Sequence, residues 1–165
     1  MRRFAPLLAL LLVACATAQR YDAASDVHAL LVSIRDDDRA TFERHVDRPA
    51  LKRSIEARAV AELRGSDAPK GLQRFGAALA APLVSLTADL LIQPQVFRWV
   101  AASYGYRRSD PIPGALAIAP ALRPTGRDRV CAVAKAGGDC VLTFTREDGV
   151  WKLSGFEGEL ALLGR

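Results

Sequence analysis

The sequence lacks the residue patterns on which most catalytic sites depend. It has only two histidines, His28 and His45, with no H-E-x-x-H pair and no cysteine–histidine spacing that suits zinc. It also has no G-x-S-x-G turn and no glycine-rich phosphate loop. We therefore predict no metal site, no cofactor and no catalytic residue. The alternative is a triad whose members lie far apart in the sequence and meet only in the fold.

A large excess of charge of one sign is also missing. The 23 basic and 18 acidic residues are mixed along the chain rather than gathered in one patch. Nucleic-acid-binding proteins typically carry a basic stripe or face. The charge pattern therefore excludes nucleic acid as the expected partner.

An apolar run near the N-terminus ends at a cysteine. Two arginines follow the first methionine, and the chain is then uncharged to Ala14, an order typical of a secretory signal peptide. The run is too short for a bilayer, which needs about 20 apolar residues. Leu12–Cys15 reads Leu-Val-Ala-Cys and resembles the bacterial lipobox. We predict a signal peptide over residues 1–14 and lipidation of Cys15.

A second cleavage pattern follows directly. Ala16-Thr17-Ala18 is an A-x-A sequence, and cleavage before Gln19 would release a soluble periplasmic protein instead. Lipidation is the favoured alternative because Cys15 stands where the apolar run stops. It would place the protein on the periplasmic face of a bacterial membrane. Ala16, in place of the aspartate typical of inner-membrane retention, favours the outer membrane.

Apolar spacing predicts helices in the first part of the chain. The first helix carries a stripe at i, i+3, i+4 and i+7, which begins at Val27. Asp38 is the expected N-cap of a second helix, and the cap-plus-proline pair of Asp47 and Pro49 opens a third. A further helix starts at Gln93 and Pro94. The predicted bounds are 21–35, 39–46, from 47 to about 64, and from 93 through 101.

Residues 75–92 are apolar enough to raise the question of a membrane span. The segment contains Asp89 without a charge partner and Pro82 near its middle. An ionised aspartate in hydrocarbon costs about 2.5–3.5 kcal/mol even on lenient scales. We therefore predict a buried core helix, kinked or broken before Pro82.

Alternating residues and turn dipeptides predict strands over 115–121, 128–135, 140–146 and 150–155. Asp148-Gly149 is the expected two-residue turn of a hairpin. It pairs Phe144 with Leu153, Arg146 with Trp151 and Leu142 with Gly155, and it places the large apolar side chains on one face.

Cys131 and Cys140 are a candidate disulfide, because disulfides persist in exported proteins. If Gly137-Gly138 were a two-residue turn, the cysteines would lie four residues out of register, roughly 13 Å apart along the strands. A bridge needs Cα atoms within about 7 Å. We therefore predict a disulfide that depends on a longer loop, near residues 134–137, with the two cysteines directly opposite.

The segment YDAASDVHALLVSIRDDDRATFERHVDRPALKRSI resembles the opening of an uncharacterised bacterial family, domain of unknown function 2939. Its members pair an N-terminal helix and an acid-rich turn with a "-VD-PAL-" segment, which here is Val46–Leu51. FGAALAAPLV and GVWKLSGF are similar to the family as well, so the resemblance covers most of the mature chain. It implies an exported helical-plus-sheet domain with no known activity. The pair of Cys131 and Cys140 is not part of the family pattern.

These observations together predict an α+β fold in which N-terminal helices pack on a small antiparallel sheet of three to four strands. Residues 15–21 would be a short tether. Residues 22–165 would be one domain, helical over 22–104 and strand-rich over 114–157. The opening helices are also similar to cystatin-like and nuclear-transport-factor-like cone folds, which is an analogy at fold level only.

The expected function is that of a non-enzymatic binding domain, attached to the membrane through its lipid anchor. The expected partners are an envelope protein, another envelope component or an apolar small molecule. The alternative is a cone-fold enzyme, for which His28, His45 or Asp89 would have to lie in a deep pocket beside another polar group. His28 is otherwise expected at a packed or boundary position, and His45 on a solvated helix face.

Overall fold

In a computed structural model of the chain, the backbone is described over residues 5–65, 90–103, 105–133 and 137–157. Side chains are described over the same ranges except at residues 5–16, 59, 62–65 and 103. Helices precede a four-stranded antiparallel sheet, so the α+β class is confirmed. The helices are α1 Ala5–Asp36, α2 Arg39–Arg44, α3 Arg48–Gly65, α4 Pro94–Ser103 and α5 Ala115–Ile118, followed by a 3-10 turn Ala119–Ala121. The strands are β1 Leu122–Gly126, β2 Arg129–Val133, β3 Cys140–Glu147 and β4 Val150–Phe156.

Helix α1 is longer than predicted. It begins at Ala5 rather than at Tyr21, so residues 15–21, expected to form a tether, continue the helix. The physical reason is composition, because residues 7–19 are rich in alanine and leucine and contain neither glycine nor proline. Among the described residues, no helix combines the length and the hydropathy needed to cross a membrane.

The apolar stripe of α1 is confirmed as the core-facing side. Val27, Leu30 and Ile34 are buried, and Ala23 and Ala24 extend the buried face by one turn. Small alanine side chains allow neighbouring elements to approach the helix closely. The stripe therefore forms one wall of the core.

Capping aspartates start α2 and α3 as predicted. The Thr41 backbone N–H donates to Asp38 Oδ1 at 3.1 Å, and hydrogen bonds from Thr41 hold the pKa of Asp38 below its usual value. The Ala50 N–H donates to Asp47 Oδ1 at 3.0 Å. Helix α2 ends at Arg44 rather than at Val46, because Val46 leaves the helix to form a parallel bridge with Leu153 of β4.

The apolar segment predicted as a core helix falls mostly outside the described residues. Pro82 and Asp89 belong to residues 66–89, of which the structure describes nothing. The helix expected after Gln93 is confirmed as α4. Its Phe97 ring packs edge-on against Phe42 of α2, with 5.5 Å between ring centroids.

The strand predicted over 115–121 is wrong. These residues form α5 and the 3-10 turn, and the strand β1 begins only at Leu122. The sequence ALAIAPA alternates larger and smaller apolar residues and so imitates a strand. Four of its seven residues are alanine, however, and alanine has the strongest intrinsic preference for helix.

The β3–β4 hairpin is confirmed in its turn and in most of its register. Asp148 and Gly149 both have positive φ, at 52° and 81°, which is the geometry of a type I′ turn. Phe144 pairs with Leu153 and Arg146 with Trp151, as predicted. The predicted pairing of Leu142 with Gly155 is wrong, because a bulge between Thr143 and Phe144 adds one residue to β4 and brings Phe156 opposite Leu142.

The disulfide between Cys131 and Cys140 is confirmed, with 5.5 Å between the two Cα atoms. The predicted geometry is wrong, because Cys131 lies opposite Thr143 and Cys140 lies opposite Val133. A bulge between Ala132 and Val133 displaces the register and brings the two cysteines within bonding reach. No local turn dipeptide encodes such a bulge.

One face of the sheet carries the core. Val130, Phe144, Trp151 and Leu153 are buried there with Phe42 of α2 and the stripe of α1. Because side chains alternate along a strand, the residues between them point to the opposite face. A groove lies on that second face.

The free edge of β4 is covered by the chain between α2 and α3. The Leu153 N–H donates to the His45 carbonyl at 2.8 Å, and the Asp47 N–H donates to the Leu153 carbonyl at 3.0 Å. Further along, the Ser54 hydroxyl donates to the Phe156 carbonyl at 3.1 Å and accepts from the Phe156 N–H at 2.9 Å. These bonds hold α3 beside the sheet.

Candidate functional site

A groove of about 510 Å³ opens on the second face of the sheet, beside α3. Its size falls in the range of small-ligand sites, about 300–1,000 Å³. Helix α3 and the residue that caps it contribute one wall, the strands contribute the floor, and the disulfide lies among the lining residues. The polar lining side chains include Asp47, Ser54, Thr125, Arg129, Thr143, Thr145, Ser154 and Glu157.

A chain of hydroxyl groups runs along the floor of the groove. The Thr145 and Ser154 hydroxyl oxygens lie 2.7 Å apart, and Ser154 also donates to the Thr143 carbonyl at 3.3 Å. The Thr143 hydroxyl donates to Glu157 Oε1 at 2.9 Å. Because each hydroxyl oxygen can both donate and accept, this floor is suited to hydrogen bonding with a polar ligand.

Gly155 lies in the floor of the groove, opposite Thr143 of β3. A Cβ at this position would lie 3.2 Å from the Thr143 Cβ and 3.6 Å from the Ser54 hydroxyl oxygen. The first of these distances is shorter than ordinary side-chain contacts. A side chain at 155 would therefore crowd Thr143 in the floor of the groove, whereas its distance to Ser54 of α3 would be an ordinary contact.

The charged lining residues are of both signs. Arg129 is exposed at the β1–β2 end, while Asp47 and Glu157 supply carboxylates. Within the described part of the chain, no group of three or more histidine, cysteine, aspartate or glutamate side chains is placed to hold a metal ion. The lining thus offers hydrogen bonds and mixed charge rather than an apolar cavity.

The side chain of an arginine lies against the disulfide. Arg123 of β1 places Nη2 at 3.3 Å from Cys140 Sγ and at 3.8 Å from Cys131 Sγ. The other terminal nitrogen, Nη1, donates to the Gly138 carbonyl at 3.2 Å. The guanidinium therefore spans the sulfurs and the loop before β3.

The two histidines lie outside the lining of the groove. His28 Nδ1 is 2.8 Å from the Pro113 carbonyl, at the boundary between α1 and the segment before α5. His45 was expected on a solvated face but is only 5% exposed, because the β4 edge packs directly over it. Its Nδ1 lies 2.8 Å from the Thr41 carbonyl and its Nε2 lies 3.4 Å from Asp26 Oδ1.

Two carboxylates of α1 complete a polar cluster around Trp151. Asp26 Oδ2 accepts from the Trp151 backbone N–H at 2.8 Å, and Asp22 Oδ2 accepts from the indole N–H at 2.9 Å. Arg146 lies 3.5 Å from the same Asp22 oxygen and 5.9 Å from the centre of the Trp151 ring. This cluster joins α1 to β4 and is separate from the groove.

Of the residues predicted as sites, Cys131 and Cys140 come together in the groove. The side chain of Cys15 and the whole of Asp89 lie outside the described residues. Sequence reasoning missed Arg129, Thr143 and Ser154. For Thr143 and Ser154 the signal was present in the hairpin prediction, since the polar residues that alternate with Phe144 and Leu153 must share the face opposite the core. Arg129 lies on β2, outside that hairpin.

The fold and its groove define a small α+β domain with a polar, disulfide-bearing face. The family model described as protein of unknown function (DUF2939) matches residues 8–99, more than half of the chain. The chain therefore belongs to that family, and the resemblance seen in the sequence is confirmed over residues 8–99, whereas GVWKLSGF lies beyond the matched residues. No curated protein and no solved structure matches the chain, so the analogy to cone folds stays a prediction. The family match covers the α3 wall of the groove and ends before its strand floor.

Proposed function

We propose that this protein is an exported, lipid-anchored binding domain of the bacterial envelope that holds a polar ligand in the groove beside α3. The groove is the observation that carries the binding role. It combines ligand-sized volume with a floor of hydroxyl groups and with carboxylate and guanidinium groups at its rim.

The composition of the groove favours a hydrophilic ligand over the apolar small molecule expected from the sequence. Hydroxyl and charged groups lose hydrogen bonds to water when an apolar ligand covers them, and each unpaired group costs about 1–3 kcal/mol. A ligand with its own hydroxyl, amide or charged groups replaces those bonds. An envelope component or a polar segment of an envelope protein meets this requirement.

The contacts of the Gln19 side chain support cleavage before Cys15 rather than before Gln19 itself. Its side-chain nitrogen Nε2 lies 2.8 Å from the Gly126 carbonyl and 3.0 Å from the Arg127 carbonyl, so residue 19 belongs to the folded domain. Cleavage before Gln19 would place this contact at a chain terminus, where helices fray. An N-terminal glutamine also cyclises with loss of the Nε2 donor. Cleavage before Cys15 keeps Gln19 inside a helix.

A helix that starts at Cys15 would hold the domain close to the lipid. The four residues from Cys15 to Gln19 span only about 6 Å when helical, less than the same residues would span in an extended conformation. The β1–β2 turn that Gln19 contacts would then face the membrane. Ala16 after the cysteine favours the periplasmic face of the outer membrane, and a disulfide suits an oxidising compartment.

The intact mass of the mature protein, extracted from bacterial membranes, tests the anchor. We expect a chain that begins at Cys15 and carries acyl additions, and a Cys15→Ser variant that loses them. A chain that begins at Gln19 without lipid would overturn the anchor and make the protein a soluble periplasmic domain. The binding role of the groove would be unaffected by that result.

A photoreactive residue at the rim of the groove tests the binding role. Thr125 lines the groove and is exposed, so a photoreactive phenylalanine analogue there leaves the hydroxyl chain of Thr143, Thr145 and Ser154 intact. The matched control carries the analogue at Arg39, an exposed residue of α2. In illuminated cells we expect an adduct of one defined mass at position 125 and none at position 39. Equal labelling at both positions, or none at 125, would overturn the proposal.

A further inference from the structure

The guanidinium of Arg123 lies on a disulfide, which carries no charge for it to neutralise. Its Nη2 is 3.3 Å from Cys140 Sγ and 3.8 Å from Cys131 Sγ, and its Nη1 bond to the Gly138 carbonyl fixes that position. A neutral disulfide gains little from a nearby cation, whereas a thiolate is stabilised by one. The position of Arg123 therefore favours the cysteine thiolates that form when the disulfide is reduced.

The two sulfurs differ in access. Cys131 is 1% exposed, while Cys140, at the start of β3, is only partly buried. Both residues line the open groove. A thiol that enters from solvent therefore reaches the Cys140 sulfur first.

We propose that the Cys131–Cys140 disulfide is a thiol–disulfide exchange site, attacked at Cys140 and assisted by Arg123. The reaction partner is a dithiol, either a protein with two neighbouring thiols or a small dithiol. This activity stands independently of the lipid anchor and of the ligand proposed for the groove.

The exchange balances in two steps. A thiolate of the partner attacks Cys140 Sγ, a mixed disulfide forms there, and the electron pair of the broken bond leaves on Cys131 Sγ, beside Arg123. The second thiol of the partner, as its thiolate, then attacks the partner's own sulfur in the mixed disulfide and releases the Cys140 thiolate. The partner dithiol is oxidised to a disulfide, the cysteine pair is reduced by two electrons, and two protons pass from the partner to the cysteines.

The first experiment measures the rate at which dithiothreitol reduces the disulfide in the native, full-length protein. Trypsin separates the cysteines into peptides 130–135 and 136–146, so alkylation of each can be followed by mass without interference from Cys15. We expect Arg123→Met to slow reduction about three- to tenfold, because the leaving thiolate loses its cation. Arg123→Lys should restore most of the rate.

Arg127→Met is the matched control, since Arg127 is an exposed arginine that directly follows β1, the strand of Arg123, and it is not among the residues that line the groove. It removes the same charge, and we expect its rate to stay within about twofold of the wild type because a screened, more distant charge acts weakly. Equal slowing by both substitutions would overturn the role of Arg123. A disulfide that is reduced only after the protein unfolds would overturn the exchange site as a whole.

A second measurement follows the ionisation of the Cys140 thiol itself and does not depend on the thiolate that leaves during reduction. In Cys131→Ser the Cys140 thiol is free, and the pH dependence of its alkylation by iodoacetamide reports its ionisation. We expect the midpoint to lie at lower pH than in the Cys131→Ser/Arg123→Met double variant, by about one unit. Superimposable profiles would overturn the proposed thiolate stabilisation even if reduction of the wild type is fast.

Discussion

At the scale of single residues, the carboxylates of Asp22 and Asp26 join the first helix to the last strand. Asp26 accepts from the Trp151 backbone N–H, and Asp22 accepts from the indole N–H of the same residue. A backbone N–H at the edge of a sheet needs an acceptor when it is shielded from water. Asp26 therefore satisfies the backbone of β4 where no further strand covers it, and Asp22 satisfies the indole N–H of Trp151.

Asp26→Ala tests this function. The Trp151 N–H would lose its acceptor in a partly buried position, and we expect the free energy of unfolding to fall by about 1–3 kcal/mol. Chemical denaturation monitored by circular dichroism gives the value. Asp26→Asn retains an acceptor oxygen and should lose less. Asp139→Ala, at an exposed loop carboxylate, is the control and should change stability little; a loss equal to that of Asp26→Ala would contradict the assignment.

His45 shows the limit of sequence reasoning at this scale. Its neighbours Glu43 and Arg44 are polar, so the local pattern indicates a solvated face. The residue is buried because its own carbonyl accepts from Leu153, more than 100 residues away in the chain. Local polarity cannot encode a contact of that range.

At the scale of elements, the β3–β4 hairpin was predictable because its turn dipeptide and the alternation of apolar residues in its strands specify the same pairing. Asp148-Gly149 requires positive φ at both positions, and the buried Phe144, Trp151 and Leu153 then fall on one face. The bulges in β2–β3 and β3–β4 were not predictable. Each inserts one residue without a dipeptide signature, and each shifts the residues beyond it.

Gly149→Ala is the corresponding prediction. Gly149 has φ of 81° and no heavy atom within 4 Å of an added Cβ, so any cost arises from backbone conformation rather than from crowding. We expect a loss of about 1–2 kcal/mol in the free energy of unfolding. Gly126→Ala is the matched control, because Gly126 is outside the positive-φ region and its added Cβ would make only an ordinary contact at 3.8 Å. Equal losses in thermal or chemical unfolding would refute the conformational explanation.

At the scale of the whole molecule, the described helices and the sheet share one hydrophobic core, and hydrogen bonds join α3 to the β4 strand. The stripe of α1 packs in the same cluster as Phe144 and Leu153, and Ser54 of α3 bonds Phe156 of β4. Separation of the two parts would expose this cluster and break those bonds together. We therefore infer that the described helices and the sheet unfold as a single cooperative unit.

Two spectroscopic signals test that inference in one variant. The chain has two tryptophans, Trp99 in α4 and Trp151 in β4. Trp99→Phe leaves Trp151 as the sole tryptophan reporter of the sheet, while far-ultraviolet circular dichroism reports mainly the helices. We expect both signals to unfold at the same denaturant concentration, as for a two-state domain. Separate midpoints would show that the helical and strand-rich parts are distinct units.

The sequence by itself determined the α+β class, the helix caps at Asp38 and Asp47, the type I′ hairpin and the family. These features depend on residues close together in the chain or on a repeated spacing, and local chemistry is sufficient to specify them. Only the tertiary structure decided the groove, the burial of His45 and the contact of Arg123 with the disulfide. Each of these joins residues from distant elements, and their positions follow from strand order, bulges and helix packing, which no local pattern contains.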